Sequence, residues 1–338
     1  MDLISLRHIA ERGVTFELDE RGFPIRPLVV VDLDDADWRA ARDAAAALDG
    51  RNPVLVGVAT SALPAASAPL LERMTCTLAP DGPGRYCAGG IEDLGSIAET
   101  VGAAPHAAVA LAELLEVSAR CSVADGLLLE SFAYSMLLAG PEFTAWREGT
   151  PRRDVGDSDD PVVLDRSGDT LTITLNRPDR HNAFGRAIRD GLLRGLDVAR
   201  QDPSVREVIV RGAGRSFCSG GDLDEFGTAP NVSAAHLVRL HHSAGHAVHQ
   251  VRDRARFVVH GACIGAGVEI PSFAGSVAAR DDAYFQLPEL RMGLIPGAGG
   301  TVSVTRRIGR WRTAYMALTN RRVDVSTALR WGLVDSRA

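Results

Sequence analysis

Two glutamates in the last third of the chain lie among apolar residues. Burying a carboxylate there costs free energy unless it is paired or hydrogen-bonded, so its presence indicates a function. Glu269 lies one turn into a helix predicted to begin at Gly265, within VVHGACIGAGVEIPSF. Glu289 ends a short predicted strand, within AYFQLPELRMGLIPGAGGT. Burial raises the pKa of a carboxyl group toward neutrality, which suits a general acid or base. The two glutamates are therefore the candidate acid/base pair, and a partner for the helix dipole is the alternative role of Glu269.

Two glycine-rich segments could present backbone N–H groups to a ligand. One is Ser219-Gly220-Gly221-Asp222, which follows a predicted strand within GRSFCSGGDLDEF. The other is Gly265-Ala266-Gly267, at the predicted start of a helix whose dipole adds positive charge there. Small residues leave N–H groups uncovered, and such donors stabilise a developing oxyanion. A tight turn is the alternative interpretation of the first segment on its own.

The elements that must position these residues alternate between strands and helices. VVLDR and TLTITL are predicted to form an antiparallel pair that turns at Ser167-Gly168-Asp169. Further strands are predicted at REVIVR and RFVVHG, and helices over about 184–201 and 234–253. This alternation predicts an α/β core over residues 161–338.

The N-terminal half has its own apolar segments, separated from that core by a polar stretch. Strands are predicted at Pro27–Asp35 and Pro53–Thr60 with a helix between them, which indicates a small parallel sheet. Helical stretches follow at Ala107–Ala119 and Val123–Gly140, and the second has an apolar face too wide for a lone surface helix. We predict a domain over residues 1–150 and a linker over residues 151–160.

Composition excludes several classes of function. The chain has 338 residues and a formal net charge of -6, which argues against general nucleic-acid binding. Five scattered cysteines, without a signal peptide or a span-length apolar run, predict a cytoplasmic protein with no membrane contact. The histidines at 242, 246 and 249 share one predicted helical face, but nothing around them completes a zinc site, so we expect no metal. Residues Asp222, Asp224 and Glu225 are expected to open a helix rather than bind an ion.

The order and spacing of these segments resemble the enoyl-CoA hydratase/isomerase (crotonase) family over about residues 162–335. The resemblance rests on LTITLNRPDRHNAF, FCSGGDL, GACIGAGVE, QLPELRMGLIPGAGGT and RRVDVSTALRWGLVD. It implies an α/β, crotonase-like ββα spiral core with an additional N-terminal α/β plus helical domain. It also implies the site: Glu269 and Glu289 as catalytic acids, the N–H groups of Gly221 and Ala266 as the oxyanion hole, and substrate or CoA contacts from Arg180, His181, Ala183, Ser219, Gly220, Asp222 and Gly265.

The function that this resemblance implies is a lyase that adds water across the 2,3-double bond of an acyl-CoA in fatty acid metabolism. The substrate carries coenzyme A, and no other cofactor is expected. A homo-oligomer, a trimer or a multiple of one, is the expected assembly. Double-bond isomerisation through Glu289 alone, thioester hydrolysis or C–C cleavage, and a non-catalytic partner-dependent subunit are the alternatives.

Three departures from the family pattern bear on these expectations. Ala266 replaces a usual glycine, and Pro271 should interrupt the helix just after Glu269. The family's terminal helices are absent after residue 335, yet residues 107–149 resemble them. We therefore hypothesise that the N-terminal half is a degenerate copy that lends these helices to the core. The segment GRYCAGGIEDL (84–94) echoes the first glycine-rich segment, but we expect no working site there.

Overall fold

The strands of the first eighty residues form a four-stranded, entirely parallel sheet in the computed structural model, which describes residues 3–34, 38–48, 52–153 and 160–338. The sheet has the order β1-β2-β3-β4, with bounds Leu3–Ser5, Leu28–Asp32, Val54–Val58 and Cys76–Leu78. Four helices accompany it: α1 (Leu6–Arg12), α2 (Trp38–Ala47), α3 (Ala68–Leu71) and α4 (Leu94–Ala103). The two predicted strands and their parallel pairing are confirmed. The ends of the helix predicted between them, 35–37 and 49–50, lie outside the described residues.

Three helices follow the first sheet: α5 (Pro105–Ser118), α6 (Val123–Leu138) and α7 (Pro141–Gly149). Both predicted helical stretches are thus confirmed. Part of the predicted linker, residues 154–159, lies outside the described residues.

The C-terminal half contains two further sheets. The first has six strands in the order β13-β10-β8-β7-β6-β5, and only its β5–β6 pair is antiparallel. The second has the order β12-β11-β9. The strand bounds are β5 (Val162–Ser167), β6 (Thr170–Leu175), β7 (Glu207–Gly212), β8 (Ala255–Val259), β9 (Ala262–Ile264), β10 (Ser276–Ala279), β11 (Tyr284–Gln286), β12 (Val323–Asp324) and β13 (Ser336–Arg337).

Seven helices belong to this half. Their bounds are α8 (Arg186–Gln201), α9 (Val232–His241), α10 (Ala244–Gln250), α11 (Ala266–Glu269), α12 (Gly300–Ile308), α13 (Arg310–Thr319) and α14 (Val325–Trp331). Alternation along β6 explains its place in the sheet, because Leu171, Ile173 and Leu175 point into the core. The mixed α/β architecture predicted from the sequence is confirmed.

The prediction of one helix over 234–253 is wrong. The chain breaks between α9 and α10, where the Ser243 hydroxyl accepts a hydrogen bond from the His246 amide at 3.2 Å and caps the new helix. The three histidines at 242, 246 and 249 therefore do not share one helical face. The helix predicted from Gly265 has only one turn, because Pro271 begins a separate 3₁₀ helix, Pro271–Phe273, as its position predicts.

Helices α5 and α6 pack against α12 of the C-terminal half. One continuous hydrophobic cluster contains Leu111 and Leu127 from these helices together with Val302 and Met316. The buried Ser118 hydroxyl donates to the Thr301 carbonyl at 2.9 Å. The N-terminal helices therefore cover part of the C-terminal core at α12, while the lending of helices by a degenerate copy and the domain boundaries stay predictions. No single helix among the described residues is long and apolar enough to cross a membrane.

Candidate active site

A cavity of about 450 Å³ lies between α6, α9 and the glycine-rich segments of the core. Both predicted catalytic glutamates line it, and so do Gly221, Ala266 and Asp222. The size is ordinary for a small-molecule site. The structure thus brings together the residues that the sequence analysis assigned to chemistry.

Two short backbone segments run side by side along one wall of this cavity. The Cys218 amide donates to the Ala262 carbonyl at 3.1 Å, and the Ile264 amide donates to the Cys218 carbonyl at 3.0 Å. Beyond this pairing, neither the Gly221 N–H nor the Ala266 N–H donates to any acceptor among the described residues. Ala266 is the first residue of α11, so its amide has no partner within the helix. Two free donors are therefore available at the cavity wall.

The Glu269 carboxylate is buried and bound by backbone amides. Its Oε2 accepts hydrogen bonds from the N–H groups of Ala298 at 2.7 Å and Gly300 at 2.8 Å. Both donors belong to the glycine-rich start of α12, where N–H groups have no helical acceptor. The interruption at Pro271 therefore leaves Glu269 facing the cavity rather than turning it away.

Glu289 lies opposite, at the start of the 3₁₀ helix Glu289–Met292 that follows β11. A methyl group added at Gly265 would lie 2.5 Å from Glu289 Oε1 and 3.8 Å from Glu269 Oε1. The side chains of Glu289 and Glu269 therefore both face the space beside the Gly265 Cα. That space has no room for a residue larger than glycine. The other oxygen, Glu289 Oε2, is buried without a hydrogen-bond partner among the described residues.

A third buried carboxylate, which the sequence analysis missed, comes from the N-terminal half. Glu130 on α6 accepts from the Gly299 amide at 2.7 Å and from the Thr301 amide and hydroxyl at 3.0 and 2.6 Å. The four consecutive amides of residues 298–301 thus alternate between Glu269 and Glu130. The available signal was one acidic residue inside the apolar run LLLESFAYSMLL.

The pKa of each of the three carboxyl groups is raised, first of all by burial. Burial raises the pKa of Glu269 to about 7, against the opposing effect of its two amide donors. Burial and the charge of Glu269 raise the pKa of Glu130 to about 8. Burial, again with the charge of Glu269, holds the pKa of Glu289 well above its usual range. Not all three groups can ionise at neutral pH, and we assign a proton to Glu289, one of whose oxygens has no donor in the part of the chain that the structure describes.

Of the seven residues predicted to contact the substrate or CoA, only Asp222 is part of the cavity wall. Its carboxylate binds Arg180 at 2.8 Å and Arg177 at 3.8 Å. Arg180 also binds Asp224 at 2.7 Å, so these charges are already paired within the protein. His181 has a left-handed backbone and contacts the Ser216 hydroxyl at 3.1 Å.

The other four residues predicted to contact CoA take part in backbone hydrogen bonds. They are Ala183, Ser219, Gly220 and Gly265, whose amides or carbonyls hydrogen-bond neighbouring segments. For all seven residues, contact with CoA stays a prediction.

The echo segment in the N-terminal half has the turn but no vacant donor. Gly89 has a positive φ of 69°, as Gly220 has at 97°. The Gly90 amide, however, donates to the Asp93 carboxylate at 3.3 Å, and a methyl group at Gly89 would meet the Tyr315 ring at 2.5 Å. This turn is therefore filled by the protein itself. Among the described ranges, no cluster of three or more His, Cys, Asp or Glu side chains could hold a metal ion.

A family model described as Enoyl-CoA hydratase/isomerase matches residues 165–337. The chain therefore belongs to the enoyl-CoA hydratase/isomerase family, and it is an enzyme of that kind. The match includes Gly221, Ala266, Glu269 and Glu289 but none of α1–α7.

Among curated relatives, the chain is 31% identical over 173 residues to 2,3-dehydroadipyl-CoA hydratase of Escherichia coli (strain K12), covering 51% of this chain and 67% of that protein. It is 31% identical over 169 residues to 1,2-epoxyphenylacetyl-CoA isomerase of the same organism, covering 48% and 64%. The matches thus span about two thirds of these relatives. A solved enoyl-CoA hydratase from Thermoplasma volcanium GSS1 aligns with a TM-score of 0.49 and 26% identity, over 53% of this chain and 72% of that one.

Proposed function

We propose that this protein adds water across the 2,3-double bond of an acyl-CoA thioester. The observation that carries the proposal is the pair of buried glutamates, Glu269 and Glu289, facing one point beside Gly265. The free N–H groups of Gly221 and Ala266 lie in the same cavity. Hydration needs both features, because one group must take a proton from water while another gives a proton to carbon.

In the proposed reaction, the thioester oxygen accepts hydrogen bonds from the Gly221 and Ala266 amides. Attack at C3 places negative charge on that oxygen, and each donor stabilises it by ~2.7–4 kcal/mol, by analogy with other oxyanion holes. Fixed amides suit this task because they need no reorganisation when the charge develops.

The two acids divide the proton transfers. Glu269 is ionised and accepts hydrogen bonds from two amides. It takes a proton from a water molecule as the oxygen of that water bonds to C3. Glu289, protonated, gives its proton to C2 as the enolate collapses. The product gains one water molecule, and a proton passing from Glu269 to Glu289 restores the starting state.

Isomerisation is the second candidate, because it requires only one acid that alternates between carbon atoms. Glu289 Oε2 has no hydrogen-bond partner and is free for that role, whereas Glu269 Oε2 is occupied by two amides. The named relatives include a hydratase and an isomerase, so they do not decide between the two. Two facing acids favour hydration, which uses both.

The proposal is tested with crotonyl-CoA and longer 2-enoyl-CoAs as substrates. Hydration is measured as the loss of absorbance of the conjugated thioester. We expect Glu269→Gln and Glu289→Gln each to lower kcat by about 10²- to 10⁴-fold. The matched control is Glu113→Gln, an exposed glutamate on α5. Isomerase activity that survives in Glu269→Gln would favour the second candidate. Firm binding of acyl-CoA without turnover of any 2-enoyl-CoA would indicate hydrolysis or C–C cleavage of another CoA thioester, or a non-catalytic subunit, instead.

Two further parts of the proposal concern cofactors and assembly. The chemistry above requires no cofactor beyond the coenzyme A of the substrate. A homo-oligomer, a trimer or a multiple of one, stays a prediction that light scattering coupled to size-exclusion chromatography tests.

A further inference from the structure

An arginine without an acidic partner lies in the wall of the cavity. Arg239 on α9 donates through Nε to the Ser131 hydroxyl at 3.2 Å and through Nη2 to the Ser135 hydroxyl. Its guanidinium lies 4.6 Å from the centre of the Tyr134 ring. Within the described ranges, no carboxylate oxygen lies within 4.0 Å of it. Its third nitrogen, Nη1, has no protein acceptor there either.

This arrangement is costly for the protein alone. The guanidinium is half-buried, and burial lowers the pKa of Arg239 despite the opposing charge of Glu130. Glu130 cannot serve as its direct partner, because both carboxylate oxygens are bound by Gly299 and Thr301. Another arginine of the cavity wall, Arg189, is paired with Asp190 at 2.8 Å. A half-buried cation whose hydrogen bonds within the described residues go only to neutral hydroxyls has unused capacity for an anion.

Arg239 and the two glutamates line the same cavity. The Tyr134 ring, on which it stacks, lies against Gly297, because a methyl group there would be 2.3 Å from the ring. Gly297 adjoins the amide that holds Glu269. Arg239 and Glu269 are therefore connected through Tyr134 and the 297–298 segment within one cavity. The wall of the same cavity also includes the apolar residues Leu127, Leu138 and Val238.

We propose that the natural acyl group carries a carboxylate at its distal end, which forms a salt bridge with Arg239. This inference rests on the proposed acyl-CoA chemistry and adds a substrate class to it. The chain would pass the glutamates, cross the apolar wall and end at the guanidinium, whose planar donors match a carboxylate in two hydrogen bonds. Arg239 would also offset the repulsion between that carboxylate and the ionised Glu269.

The test compares two 2-enoyl-CoAs of equal chain length, one ending in a methyl group and one in a carboxylate. We expect the wild-type kcat/KM to favour the carboxylate by about 10- to 100-fold, as charge-assisted hydrogen bonds do. In Arg239→Gln this ratio should fall to near one, and in Arg239→Lys it should recover in part, because the charge returns without the planar fork. The ratio within each enzyme is measured, so a general loss of activity does not affect the result. Arg194→Gln, an exposed arginine on α8, is the matched control.

Calorimetric binding of the corresponding saturated thioesters separates this inference from the proposed reaction. If wild type hydrates both enoyl-CoAs with equal kcat/KM, or if Arg239→Gln keeps the preference, the carboxylate site is wrong while hydration stands. A different outcome is that no enoyl-CoA reacts, but the saturated carboxylate-ended thioester binds wild type about tenfold more tightly than the methyl-ended one, and Arg239→Gln loses this difference. The proposed reaction is then wrong, and the carboxylate site stands. Thermal unfolding of each variant verifies that it is folded.

Discussion

Replacing Glu130 with glutamine should change how the stability of the protein depends on pH. The folded-state pKa of Glu130, about 8, exceeds its ordinary value of 4.5 because of burial and the charge of Glu269. A carboxyl group with a raised folded pKa contributes stability that is fully present below about 4.5 and lost as the pH rises through about 8. Glutamine has nearly the same shape and cannot ionise, so the variant escapes that loss.

The size of the effect follows from the shift. Each pKa unit is worth about 1.36 kcal/mol, so an isolated group with this shift would lose roughly 5 kcal/mol across the interval. Sharing of the proton with Glu269 reduces the loss, and we expect a change of about 2–5 kcal/mol. The free energy of unfolding of Glu130→Gln, relative to wild type, should rise by that amount between pH 5 and pH 9.

Urea unfolding at a series of pH values measures this difference directly, and titration of all other groups cancels in it. Glu113→Gln on α5, an exposed position, should give a flat difference. A flat difference for Glu130→Gln as well would refute the reasoning. It would mean that the three hydrogen bonds from Gly299 and Thr301 keep the carboxylate ionised throughout, and the variant would then be less stable by about 1.5–3 kcal/mol at every pH.

Further predictions follow from the same geometry. The rate of hydration should have a bell-shaped pH profile, rising near pH 7 as Glu269 ionises and falling at higher pH as Glu289 does; a profile flat from pH 6 to 9 would contradict these roles. Gly265→Ala should lower kcat at least tenfold and the free energy of unfolding by about 1–3 kcal/mol, because φ is +49° and the methyl group would lie 2.5 Å from Glu289; unchanged kinetics would contradict it. Asp222→Asn should lower the free energy of unfolding, measured in urea, by about 3 kcal/mol, because the buried Arg177 loses its carboxylate partner and Arg180 keeps only Asp224; an unchanged free energy of unfolding would contradict it. A fragment lacking residues 1–153 should aggregate, since α12 loses its cover, and a monodisperse, active fragment would refute that dependence.

The sequence was sufficient for the part of the site that is built locally. Glu269, Glu289 and the two glycine-rich segments could be located because each follows a strand whose apolar pattern is clear. Short-range signals were also available where the prediction was wrong. Ser243 is a favourable N-cap residue, and its place between α9 and α10 could have indicated the break in the helix predicted over 234–253.

Partners that meet only in three dimensions could not be predicted. Glu130 binds Gly299 from 169 positions away, and no spacing rule connects them. Asp222 was expected to contact the substrate or CoA, which stays a prediction, but its ion pairs with Arg180 and Arg177 could not be predicted from spacing. In both cases the sequence correctly marks a charged residue near the site, and only the packed structure decides which group pairs with which.

Both halves of the chain contribute residues to the cavity, and this matters when the chain is compared with its relatives. The segment that matches the family, residues 165–337, supplies the proposed acids and the oxyanion donors. Helix α6 lies outside that match, yet it supplies Glu130 to the loop that holds Glu269, and the hydroxyls and ring that position Arg239. Two proteins with identical core segments and different helices in this place would share the reaction and differ in acidity and acyl preference. Similarity over residues 165–337 therefore predicts the class of chemistry, while the proposed acyl preference depends also on α6, which that similarity does not include.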